Sequence, residues 1–178
     1  MNFLTPFRPL AAILAATLAV GVAAAAADDT PSPVKVTWTN PDDFSEVKHN
    51  PGYGLGSEKP ELWLGELSKY LQRRAARVVA PGQQLDVTIT DIQRAGTFEP
   101  WRGPRWDEVR IIKDIYPPRI DLKFTLTDAN GGVVREGTAK LRDPAFLQRG
   151  ILNETDPLRF EKRMLDDWLR KEFPAEKS

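Results

Sequence analysis

Ile120-Asp121-Leu122-Lys123-Phe124-Thr125-Leu126-Thr127 alternates apolar and polar side chains without a break, and Asp128-Ala129-Asn130-Gly131-Gly132 separates it from Val133 to Leu141. Successive strand residues point to opposite faces, so this spacing buries Ile120, Leu122, Phe124 and Leu126 and wets their neighbours. The five turn residues suit a tight reversal, and the stretch reads as a β-hairpin. A pair of strands with one apolar face demands a covering layer.

The rest of the chain supplies more strands and that layer. Leu85, Val87 and Ile89 alternate with Asp86, Thr88 and Thr90, and Val34 to Trp38 alternates in the same way. Val109 to Tyr116 reads as a further strand, stopped by Pro117-Pro118. Between Pro60 and Val79, Trp63, Leu67, Tyr70, Leu71 and Val78 recur at helical steps; Pro60 suits a first turn and Pro81 ends the run. A second helix is expected from Asp156-Pro157 to before Pro174, with Phe160, Met164, Leu165, Trp168, Leu169 and Phe173 as its stripe. On its solvated side, Asp166 precedes Arg170 and Asp167 precedes Lys171 by four residues. The expected fold is α+β: a two-layer sandwich in the order β-α-β-β-β-β-α. An antiparallel-rich sheet of about five strands carries two helices on one face.

Residues 1–27 read differently. They hold one basic side chain, Arg8, no acidic one, and an alanine-rich run from Leu10 that stops at Ala25-Ala26-Ala27-Asp28. Small residues at Ala25 and Ala27 fit the A-x-A processing pattern, which favours a cleaved export signal over a membrane anchor. The expected organisation is a signal over 1–27, a polar leader over 28–33, one domain over 34–174 and a polar tail over 175–178. The expected location is the periplasm, with the processed chain soluble. The chain has no cysteine, which excludes a lipid anchor on cysteine, disulfides and thiolate zinc sites. Removing the signal takes Arg8 from 25 basic residues and leaves 24 against 25 acidic ones. That balance argues against nucleic acid and anionic membrane as partners.

Few residues suggest chemistry. His49 is the only histidine, and it stands in a glycine-rich loop without a following partner motif, which suits a surface or loop-capping position more than a catalytic base. Asp42-Asp43 and Asp166-Asp167 lack calcium-loop spacing, so no metal or other cofactor is expected. Gly52-Tyr53-Gly54-Leu55-Gly56 precedes a helix, but Asn50-Pro51 replaces the strand that a phosphate cradle needs, leaving a flexible connection. Asp91 continues the buried parity of Leu85, Val87 and Ile89, so it calls for a cation or several donors. Arg110, Lys113 and Arg119 follow, with Asp114 as a second acid. A structural polar network of Asp91, Arg110, Asp114 and Arg119 is expected, and Asp91 with Asp114 as the acid-base pair of a small hydrolase is the alternative. Between them, Trp101, Arg102, Arg105 and Trp106 combine residue types that anchor interfaces; the indoles either meet a partner or fold back over the sheet edge.

Four blocks resemble a family of secreted Gram-negative envelope proteins catalogued as the domain of unknown function numbered three thousand and sixteen. They are Val36-Thr37-Trp38 with Asn40-Pro41 and Phe44; Leu85 to Asp91 with Ala95-Gly96; Val109-Arg110 through Lys113-Asp114-Ile115-Tyr116 and Pro118-Arg119 to Asp128-Ala129-Asn130-Gly131; and Pro157-Leu158 through Glu161-Lys162 to Met164-Leu165-Asp166-Asp167-Trp168. Asp91, Arg110, Asp114 and Arg119 match the family pattern. Gln93-Arg94 departs from it where an acidic-leucine step is usual, and glutamate occupies the acidic position at Glu46. The resemblance implies no activity. The reading favoured is a non-enzymatic binding or accessory module of the cell envelope, contacting another envelope protein or a small ligand.

Overall fold

The computed structural model describes residues 32–50, 58–150 and 155–174. The expected export signal, most of the leader, the Gly52 to Gly56 segment and the polar tail lie outside the described residues.

Among the described residues, six strands form: β1 (Val34–Trp38), β2 (Gln84–Gln93), β3 (Thr97–Phe98), β4 (Arg110–Ile111), β5 (Arg119–Thr127) and β6 (Val133–Arg142). Helices α1 (Ser45–Lys48), α2 (Pro60–Ala75) and α3 (Arg159–Glu172) accompany them. The main sheet runs β1-β2-β5-β6, with β1 parallel to β2 and the other neighbours antiparallel. A parallel pair needs a long crossover, and α2 lies in the one between β1 and β2. The hairpin sits at Ile120 to Leu141 as its alternation requires. Asp128 Oδ1 closes the turn by accepting the Asn130 and Gly132 amides at 2.8 and 2.9 Å, and Gly131 supplies the left-handed residue at φ +81°.

The helices cover one face. Trp63, Leu64, Leu67 and Leu71 of α2 and Met164, Leu165, Trp168 and Leu169 of α3 share a core with Leu85, Val87, Ile89, Leu122 and Phe124. Burying each large apolar side chain contributes about 1.5–3 kcal/mol, so this layer is the main source of stability. Phe124, Trp168 and Phe173 meet edge to face at 5.6–5.9 Å and lock α3 onto β5.

The α+β class and the two helices on one face match the sequence; several boundaries shift. The strand expected over 109–116 narrows to Arg110–Ile111 and pairs with Thr97–Phe98 in a separate two-stranded sheet. Pro100, Pro104, Pro117 and Pro118 surround it and lack the donors a longer ladder needs. Helix α2 ends at Ala75, and Val78 is exposed rather than on the apolar stripe. α3 begins after Leu158, although Asp156 still accepts the Leu158 amide at 2.8 Å. Asp166 does not pair along its helix: it accepts from Arg74 and from the Tyr70 hydroxyl, both at 2.8 Å, and thereby bridges to α2. Burial and that carboxylate push the Tyr70 hydroxyl up to about 12.

Candidate functional site

The chain that leaves β2 stays inside the molecule. Ile92, Arg94, Ala95, Thr97, Phe98 and Glu99 are all buried before the backbone emerges at Pro100. Gly96 permits this path: its φ is +80°, and a Cβ there would lie 2.6 Å from Ile111 O and from Ile112 Cδ1. Its amide donates to Tyr116 O at 3.0 Å and fastens the excursion's two ends together.

Three buried glutamates hold this segment. Glu46, delivered by α1, accepts the Arg94 amide at 2.9 Å through Oε2, while Oε1 faces the guanidinium groups of Arg94 and Arg110. Arg94 also lies over the Trp63 ring at 4.7 Å, and Arg110 over Phe98 at 4.8 Å while donating to the Ala95 and Gly96 carbonyls. Glu161 of α3 accepts the Ala95 amide at 2.6 Å, and its second oxygen has no hydrogen-bond partner among the described residues. Burial pushes the Glu161 carboxyl above its ordinary range, against the pull of the Ala95 amide and the two guanidinium charges. Glu99 accepts from Lys113 at 2.6 Å, from the Tyr116 hydroxyl at 3.0 Å and from Arg102. The Lys113 ammonium holds the Glu99 carboxyl below its ordinary range.

Beyond Glu99 the excursion turns outward through two short 3-10 turns, Pro100–Arg102 and Pro104–Trp106, joined by Gly103 at φ +103°. Trp101 is 65% exposed and Trp106 41%, so the indoles do not fold back over the sheet. Arg102 spans the base and the tip, pairing with Glu99 while its guanidinium lies 5.7 Å from the Trp106 ring centre. Arg105 is exposed, as are Val109 and Ile115 on the return. A ring of paired charges therefore supports a tip of exposed apolar and cationic side chains.

Asp91, Arg110, Asp114 and Arg119 are not brought together. The pairing of β2 with β5 shifts between Ile89 and Asp91, which gives the buried place to Ile92 and turns Asp91 toward α1. There it accepts the Ser45 amide and hydroxyl at 2.6 and 2.7 Å. Arg110 joins Glu46 instead, Asp114 is exposed in a turn, and Arg119 is exposed at the start of β5 opposite Gln93 and Arg142. The proposed acid-base pair is accordingly split. His49 is exposed at the end of α1, and no cluster of potential metal ligands occurs among the described residues.

Sequence reasoning left Glu46, Arg94, Glu99 and Glu161 out of the polar network. One signal was present: Glu161 precedes Leu165 and Trp168 at steps of four and seven, squarely on the apolar stripe of α3. No curated protein and no solved structure matches the chain. A family model described as "Protein of unknown function (DUF3016)" matches residues 32–171, and the chain belongs to that family.

Proposed function

We propose that the protein is a non-enzymatic module of the Gram-negative periplasm that docks onto another envelope protein through the tip of the 97–111 excursion. The observation that carries this reading is the exposure of Trp101 and Trp106 on a base anchored by buried Glu99. Solvent-exposed tryptophan beside arginine is the composition of interface anchors, and a firm base lowers the entropy lost on docking. A small ligand needs a concave pocket; the clefts beside α3 and beside Pro117-Pro118 contain neither tryptophan. Export rests on the alanine-rich run ending at Ala27, and no helix among the described residues is long and apolar enough to cross a membrane.

A photocrosslinking amino acid at Arg105, expressed in the native envelope, tests the reading. One discrete protein adduct is expected from a periplasmic chain that begins at Asp28. Replacing Trp101 and Trp106 together by alanine should lower its yield about tenfold or more, as loss of two anchors implies. The melting temperature should not change. No adduct, or equal adduct from both proteins, rejects the surface.

A further inference from the structure

β6 is an outer strand of the main sheet, hydrogen-bonded to β5 alone. Its ten residues, Val133-Val134-Arg135-Glu136-Gly137-Thr138-Ala139-Lys140-Leu141-Arg142, contain no proline, and its one irregularity lies at the start, where Thr127 meets Val133. Long edges of this kind present a row of free amides and carbonyls that template pairing with another chain. The opposite edge, β1, is five residues long and packs against α2. On the helix side, β6 meets α3 through Ala139, Leu141 and the Arg135–Glu172 pair, and a cleft of about 440 Å³ lined by Thr138, Lys140, Met164 and Trp168 lies beside them.

The charges on β6 select the occupant. Val134, Glu136, Thr138, Lys140 and Arg142 share the face away from the helices, as the strand period requires. Arg142 pairs with Asp121 at 2.6 Å, which takes the one acid opposite Lys140 on β5. Among the described residues, Glu136 and Lys140 enter no ion pair. They lie two residues either side of Thr138.

We propose that β6 pairs antiparallel with β6 of a second copy of this chain, about a two-fold axis through Thr138, joining the two four-stranded sheets edge to edge. In that register Glu136 faces Lys140 of the second copy, and symmetry repeats the pair on the other side of the axis. Two threonines meet at the centre, a favourable cross-strand pair. The two-fold axis keeps the helices of both copies on one face of the joined sheet, where Ala139 meets Gly137 and Leu141 meets Arg135 of the second copy.

Sedimentation of the purified protein over a range of concentrations tests the assembly, with circular dichroism confirming the fold of each variant. The mass should rise from one chain to two with concentration. Glu136→Lys and Lys140→Glu each place like charges opposite one another and should weaken association about tenfold. The double exchange should restore it. Because the chain has no cysteine, Thr138→Cys should give a disulfide dimer on mild oxidation, and Lys35→Cys on β1 should not. A single-chain mass at every concentration overturns the proposal and leaves Lys140 as a guard against edge pairing. A dimer indifferent to the charge exchanges, or one that Thr138→Cys fails to crosslink, overturns it as well.

Discussion

The Ala95 amide donates to Glu161 Oε1 at 2.6 Å, tying α3 to the segment just beyond β2. Glu46 does the same from the other side by accepting the Arg94 amide at 2.9 Å. Two consecutive amides that have left the sheet ladder are thus satisfied by carboxylates from α1 and α3. A buried amide left without an acceptor costs about 1–3 kcal/mol, so these glutamates set the path of the excursion.

Glu161 predicts a pH dependence. Burial raises its carboxyl pKa in the folded protein, so the folded state holds this proton more tightly than the unfolded chain. Its contribution to stability is full below glutamate's ordinary pKa of about 4.3 and is lost as pH rises through the raised folded value. Glu161→Gln keeps an oxygen for the Ala95 amide and removes the titration. Thermal melts between about pH 4 and pH 8 should show the variant gaining on the natural protein as pH rises. A difference independent of pH refutes the assignment.

Asp91 and Asp114 should separate cleanly by stability. Asp91→Ala removes both acceptors at Ser45 and should cost about 1–2 kcal/mol, comparable to the loss of a helix cap, lowering the melting temperature by several degrees. Asp114→Ala alters an exposed turn and should stay within about 0.5 kcal/mol. Equal effects in chemical denaturation would contradict these placements.

Gly96→Ala should be among the most damaging small substitutions. The new methyl meets a backbone oxygen that cannot move aside, and φ +80° is itself unfavourable for alanine. A loss of at least about 2 kcal/mol is expected in urea unfolding. Gly131→Ala shares the positive φ but has no atom within 4 Å of the added carbon, so it should cost less. The opposite ranking counts against the close approach of Gly96 to Ile111.

Periodicity carried most of the fold. Ile120 to Leu141 and the stripe from Met164 to Trp168 were legible because strand and helix repeats reveal which side chains face inward. Asp91 misled the same logic: one register shift before it gave the inward place to Ile92. Trp101 and Trp106 were legible as two tryptophans set among arginines, whereas their exposure depended on where Glu99 rooted the excursion.

By itself the sequence determined the four strands of the main sheet, the two long helices, the apolar faces that join them and the absence of disulfides, since each follows from spacing or composition within a short window. The tertiary structure alone decided which charges meet. Glu46 and Arg94 lie 48 residues apart, and Ala95 and Glu161 lie 66 apart. No local pattern specifies such pairs; they form because packing α1 and α3 against the end of β2 leaves buried amides and guanidinium groups that only those carboxylates reach.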